Sequence, residues 1–137
     1  MAALGAERDT ARKEGAFEAY PLKAGVKIYK GGMACTDANG YLVPASDTAG
    51  LKFAGMSRST YDNTNGANGA ITGEVMRKGM FMYDSGHDLT GHEGELAYVA
   101  DDHTVDLTGN VAHQILAGAI SHVDSATGVT VDFERRA

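Results

Sequence analysis

The sequence predicts an all-β fold: a small β-barrel or β-sandwich of short strands preceded by an extended N-terminal arm. Three observations predict it. Short alternations of apolar and polar residues recur at intervals of roughly 8 to 12 residues, which is typical of small all-β domains. Gly residues, 18 in all, and Asn-Gly pairs separate these runs. The length of 137 residues fits one domain with a single core.

The composition bounds both the stability and the partners of this domain. Gly and Ala are abundant while Leu, Ile, Val and Phe are scarce, so the core is modest and association with further copies would supply additional burial. The net charge of -6 and the scattered Lys and Arg residues argue against a nucleic-acid partner. No apolar run reaches the roughly 20 residues of a membrane span. We therefore expect neither nucleic acid nor membrane as a partner.

The first 19 residues differ from the rest of the chain. They are charged and Ala-rich, lack strand alternation, and precede Pro21, which disfavours helix at the residue before it. We predict an arm at 1–19 and a β-rich domain at 20–137. The arm is either a frayed terminus or a segment that becomes ordered against a neighbour. If it makes contacts, its candidate contact residues are Arg8, Arg12, Lys13 and Phe17.

The elements from residue 21 to 58 are predicted from their turns. A first strand pair surrounds Gly31-Gly32, and Asn39-Gly40 marks the next turn because both residue types tolerate positive φ. The strand over 41–43 then ends at Pro44. Residues 51–56 alternate apolar and polar side chains, which predicts a strand with one buried face.

The second half of the chain shows the same organisation. Residues 59–70 are dense in Asn, Gly and Thr, with Tyr61 as the one large apolar group, so we predict a loop in which Tyr61 is a candidate contact residue. Residues 115–120 have the composition of a helix, but Gly118 and the turn at 125–128 favour a strand. The remaining strands are predicted as one or two around Lys78-Gly79, then 96–99, 104–107 and 129–133.

Potential metal ligands are densest between residues 86 and 103. Imidazole and carboxylate groups could hold zinc or another divalent ion, and the candidates are His87, His92, Asp101, Asp102 and His103. The spacing of five between the first two histidines places them on neither a common helix face nor a common strand face, and three Gly residues lie between 86 and 94. We therefore predict a polar connecting loop with no metal and no cofactor.

Other reactive side chains also have simpler interpretations. Cys35 lacks a nearby His in sequence and is interpreted as a small buried filler. Lys78 is interpreted as a turn lysine. Five methionines could fill the core or line an adaptable binding surface, and these are Met33, Met56, Met76, Met80 and Met82. Without a converging acid, base or nucleophile, the sequence does not predict an enzyme.

Four blocks in a fixed order carry a resemblance to a known family. They are PLKAGVKIYKGGMACTDANGYLVPASDTAGLKFAGMS, EVMRKGMF, LAYVADDHTV and GAISHVDSATGVTVDF. In this order they resemble the capsid cement, or head-decoration, proteins of tailed bacteriophages over roughly residues 20–134. The resemblance implies a non-enzymatic structural protein on the outer surface of the virion, made in the bacterial host cytoplasm. It further implies a homotrimer that bridges adjacent major capsid proteins and stabilises the head.

Two other functions remain as alternatives. A carbohydrate- or cell-surface-binding β-module would use aromatic rings for stacking on sugars, and the candidates are Tyr20, Tyr41, Tyr61 and Tyr83. A metal-dependent hydrolase would use His87, His92, Asp101 and His103. These alternatives differ from the decoration role in their partner, which is a sugar or a metal-bound substrate rather than a protein shell.

Overall fold

The computed structural model describes residues 2–3, 5–8 and 15–137. These residues form twelve strands and one short 3₁₀ turn, which confirms the predicted all-β class and the small barrel. The elements are β1 (Phe17–Pro21), β2 (Lys27–Ile28), β3 (Met33–Thr36), β4 (Leu42–Pro44), β5 (Lys52–Ser57), β6 (Tyr61–Asp62), β7 (Thr72–Met76), β8 (Met80–Ser85), β9 (Leu96–Val99), β10 (Thr104–Asp106), the 3₁₀ turn (Thr108–Asn110), β11 (Leu116–Ser125) and β12 (Gly128–Asp132).

The strands form two main layers. An antiparallel sheet has the order β1-β7-β5-β3-β4, and a closed barrel has the order β10-β8-β12-β11-β9. β2 and β6 form a separate two-stranded ladder. Within the barrel β10 runs parallel to β8, and the pairing covers only Thr104 with Asp84 and Val105 with Ser85. The preceding residues of β8 therefore have no strand neighbour on that side within the described chain.

Two hydrophobic clusters hold these layers together. The larger one fills the barrel and includes Val99, Val131 and Phe133. The Phe133 ring lies 4.8 Å from that of Phe53 on β5 and 4.7 Å from that of Phe81 on β8, measured between centroids. Aromatic contacts of this kind add to the burial energy and join the barrel to the first sheet. The smaller cluster lies around Leu22, Leu42 and Val75.

One glycine shows how closely the strands approach in the first sheet. Gly55 has a φ of +146°, and a Cβ atom there would lie 2.3 Å from the carbonyl oxygen of Met76. Ala34 of β3 pairs with Gly55 and Cys35 pairs with Phe53, so Ala54 is an extra residue in β5 and Gly55 lies beside a bulge. Gly is required there by both the backbone angle and the contact with β7.

The structure corrects two of the predicted boundaries. β1 begins at Phe17, so residues 17–19, which were assigned to the arm, belong to the first sheet. The predicted loop at 59–70 contains β6, whose Tyr61 pairs with Ile28. Both strands were missed because they are short and their partners lie far away in sequence, where local alternation carries no information.

Among the described residues, no helix has the length and apolar character needed to cross a lipid bilayer.

Candidate interaction surfaces

The outer edge of β1 offers unpaired backbone groups. In the described part of the chain β1 pairs with β7 alone. Arg77 N donates to Ala16 O at 2.9 Å and Leu22 N donates to Ile71 O at 3.0 Å. In an antiparallel pair, alternate residues of one strand bond the other, and these two bonds show that the even-numbered residues of β1 bond β7. The N–H and C=O groups of Phe17 and Ala19 therefore point away from β7. An extended segment of another molecule could pair there.

Side chains beside this edge form an aromatic and cationic patch. Phe17 is 43% exposed, and the Arg58 guanidinium lies 4.2 Å from its ring centroid. Arg58 also pairs with Glu74, and Arg77 lies 3.7 Å from Glu18. The stacked guanidinium restricts the ring while leaving almost half of it in solvent. We call the outer edge of β1 together with Phe17, Arg58 and Arg77 the N-terminal edge surface.

The other predicted contact residues do not all lie at this surface. Arg8 is exposed, while Arg12 and Lys13 lie outside the described residues. Tyr61 belongs to β6, and its half-buried side chain packs against the smaller hydrophobic cluster. The residues that precede β1 join it at the N-terminal edge surface. Of the predicted contact residues, Phe17 is the one that the structure places in an exposed position beside arginine side chains.

A second exposed apolar surface was missed from sequence. Met80 is 60% exposed and Met82 is 72% exposed on the outer face of β8, and Tyr29 is 58% exposed on the segment before β3. Met82 and Tyr29 line one groove of about 440 Å³. We call Met80, Met82 and Tyr29 with this groove the β8 surface. The five methionines thus differ in exposure, because Met33 is fully buried whereas Met80 and Met82 are exposed.

The predicted metal ligands separate into three small groups. His87 Nδ1 lies 2.6 Å from Asp106 Oδ2, and His92 bonds Glu95. Asp101, Asp102 and His103 are the one set of three potential ligands among the described residues whose ligand atoms all lie within 4.8 Å of one another. The histidines of the predicted set therefore do not share one site.

The group at Asp101–His103 is exposed and satisfies its own polar atoms. His103 Nδ1 lies 3.0 Å from Asp102 Oδ1, and His103 N donates to Asp101 Oδ1 at 2.9 Å. The hydrogen bond with Asp102 raises the pKa of His103 above its ordinary value, and the nearby charges of Asp101 and Asp84 add to it. A higher pKa favours the protonated imidazole, which cannot bind a metal ion.

The remaining candidates lie mostly within the fold. Cys35 is fully buried, and burial raises the pKa of its thiol to about 12, so it is a poor nucleophile at neutral pH. Tyr83 is buried and donates to Gly31 O at 3.0 Å. The other tyrosines predicted for sugar stacking are half-buried, and these are Tyr20, Tyr41 and Tyr61. Tyr29, which was not predicted, is the most exposed ring.

Comparison with known proteins finds no family model, no curated protein and no solved structure that matches this chain.

Proposed function

We propose that this protein is a structural virion component that binds the outside of a tailed-phage head and bridges adjacent major capsid proteins. The observation that carries the proposal is the N-terminal edge surface, where an open strand edge, an exposed phenylalanine and two arginines lie together at the point where the arm begins. The order of the four sequence blocks supports the same role. Binding of this kind requires no chemical turnover.

The physical basis of the proposal is strand addition combined with an aromatic anchor. A segment of the shell that pairs with Phe17 and Ala19 would satisfy outward-facing backbone groups, and main-chain hydrogen bonds would supply affinity. The half-exposed Phe17 ring would enter a pocket of the shell, as aromatic anchors do at interfaces. Arg58, already stacked on that ring and paired with Glu74, would donate its remaining N–H groups to a carbonyl of the partner.

Repetition on a shell makes modest contacts sufficient. When two joined copies contact different capsid subunits through their N-terminal edge surfaces, the second contact forms at a high effective concentration. The overall affinity then exceeds that of either contact without a large interface. A trimer would multiply this effect, which agrees with the small core of a single copy.

The proposal is tested with expanded, undecorated heads of the phage that encodes this protein. The purified full-length chain is mixed with the heads, and sedimentation measures the bound fraction while heating measures the resistance of the heads to disruption. We expect saturable binding and a higher disruption temperature. Heads that neither bind the chain nor gain heat resistance would overturn the proposal.

Two variants locate the contact within the chain. A deletion of residues 1–15 retains β1 and removes the arm, and Phe17→Ala retains the backbone edge and removes the anchor. Each should lower occupancy of the heads. Val123→Ala, at a half-buried position on β11 in the barrel, serves as the control and should bind as the unaltered chain does.

A further inference from the structure

The first half of β8 is an open strand edge within the barrel. Phe133 N donates to Gly79 O at 3.1 Å and Ser85 N donates to Thr127 O at 2.9 Å, so the odd-numbered residues from 79 to 85 bond β12. Met80, Met82 and Asp84 consequently direct their N–H and C=O groups to the opposite side. Asp84 N finds His103 O at 3.0 Å there, whereas no described residue pairs with the backbone of Met80 or Met82 on that side.

The side chains of this edge do not protect it. Natural edge strands usually carry Lys, Pro or a bulge that discourages pairing. The segment from Met80 to Tyr83 contains no charge and no proline, and its register with β12 is regular over its whole length. Its two outward side chains are the most exposed methionines of the described chain. An unprotected apolar edge of this kind indicates a position that another strand covers.

Carboxylates lie at one end of this edge. The groove of about 440 Å³ between β8 and the turn at 29–32 is lined by Met82 and Tyr29, by the carboxylates of Asp84 and Asp102, and by the basic side chains of Lys30 and His103. Asp101 is adjacent, because its carboxylate lies 3.1 Å from His103 Nδ1. A strand that enters ahead of β10 would thus end near three carboxylates, which outnumber the two basic groups Lys30 and His103 beside them, so a basic residue at its end would be favoured there.

We propose that the β8 surface is the acceptor for the N-terminal arm of a second copy of this chain, which adds as a strand beside Met80 and Met82. Residues 10–13, Thr-Ala-Arg-Lys, carry two positive charges and lie between Asp9 and Glu14, and their small residues suit passage along exposed methionines. Because successive side chains of a strand point to opposite faces, one of Arg12 and Lys13 would face Asp84, Asp101 and Asp102. This exchange joins copies of the chain to one another. Assigning the arm to a second copy rests on the proposed structural role, in which several copies lie side by side on a shell.

The length of the N-terminal arm supports its assignment to the β8 surface. Ala16 is the last residue before β1 and is bonded to Arg77, so at least 15 residues precede it and are available to extend outward. At about 3.3 Å per extended residue, residues 8–14 alone span roughly 23 Å, several times the distance covered by the open edge. The arm can therefore reach a neighbouring barrel while its own β1 stays paired with β7.

The experiment measures association of the full-length chain without any phage shell. Sedimentation velocity from low-micromolar to submillimolar concentrations should show oligomers, and hydrogen exchange should show that the amides of Met80 and Met82 become protected as oligomers form. The key variant is Met82→Pro, which removes an outward N–H and no bond between β8 and β12, since those bonds use the odd-numbered residues of β8, although the ring also fixes the φ of residue 82. We expect association to weaken by at least about ten-fold, while Met82→Val, which keeps the N–H, associates more tightly than the proline variant.

A charge exchange tests the occupant even if the proline variant folds poorly. Arg12→Glu with Lys13→Glu should weaken association by about ten-fold or more, and adding Asp84→Lys to that pair should recover part of it. A chain that stays monomeric throughout, or protection of Met80 and Met82 in the monomer, would overturn the proposal. So would association that none of these variants changes. Binding to heads is measured separately, so a chain that does not associate with itself can still be tested for binding to the shell.

Discussion

Gly118 on β11 lies directly against the backbone of β12. A Cβ atom at this position would lie 2.2 Å from the carbonyl oxygen of Asp132, and β11 shifts its register between Leu116 and Gly118. Because the obstacle is backbone rather than a flexible side chain, we expect Gly118→Ala to lower the free energy of unfolding by about 1 to 3 kcal/mol. Urea unfolding measures it. Gly109→Ala is the matched control, since nothing lies within 4 Å of a Cβ there. Equal effects of the two substitutions would contradict the packing argument.

Asp106 gives the stability a dependence on pH. Its side chain is only 4% exposed, and burial by itself would raise the pKa of the carboxyl. Hydrogen bonds from Asn110, His87 and Leu107 N outweigh burial and hold the pKa below its ordinary value. A lowered folded-state pKa means that this stabilisation is present above the unfolded value of about 3.9 and is lost as pH falls through the folded value.

Asp106→Asn should therefore cost stability in a pH-dependent way. At pH 7 we expect a loss of about 1 to 3 kcal/mol, because a charged acceptor of buried hydrogen bonds is removed. In acid, below the folded-state pKa, the difference between the variant and the unaltered chain should shrink. Urea unfolding at neutral and acidic pH measures both differences, and Asp124→Asn at an exposed position is the control. A difference that stays constant with pH would show that the charge of Asp106 is not what stabilises the fold.

At the scale of elements, the sequence predicts those strands whose signal is local. The turn at Asn39-Gly40 and the alternation of 129–133 mark β4 and β12 because turn chemistry and one-sided burial leave a pattern within a few residues. β1 has no such pattern, since it pairs with β7, and the partner of Phe17 is Met76, far away in sequence. The β8 surface escaped prediction for a different reason. Met80, Phe81, Met82 and Tyr83 are apolar on both faces, so alternation cannot indicate which face is buried.

β1 should contribute stability as a unit that is separable from the arm. Deletion of residues 1–15 leaves the five-residue pairing with β7 intact, so at concentrations where the full-length chain is monomeric we expect almost no change in the melting temperature. Deletion of residues 1–21 removes that pairing and uncovers Val75, which is fully buried. This longer deletion should lower the melting temperature strongly or abolish cooperative unfolding, because it exposes a core residue and also leaves β7 without its partner strand. Similar melting curves for the two deletions would contradict this assignment of the boundary.

For the whole molecule, the small core and the open edges have a common consequence. The bulky residues of the chain fill one barrel and one smaller cluster, while the edge of β1 and the first half of β8 carry outward-facing backbone groups and exposed apolar side chains. Each edge costs little in an isolated copy, because water satisfies the backbone groups. In the assembly that we propose, protein would replace that water, and Phe17, Met80 and Met82 would be buried. These contacts would add stability that the small core of one copy does not supply.

Stability of the intact chain should consequently depend on protein concentration. A partner that binds only the folded chain adds stability with the logarithm of its free concentration, by about 1.4 kcal/mol for each ten-fold rise above the dissociation constant. We expect the melting temperature of the full-length chain to rise with concentration, as measured by scanning calorimetry. The deletion of residues 1–15 should melt at the same temperature at every concentration, because it lacks the arm that we propose to cover β8. A concentration dependence that persists in this deletion would place the contact between copies on a surface other than the arm.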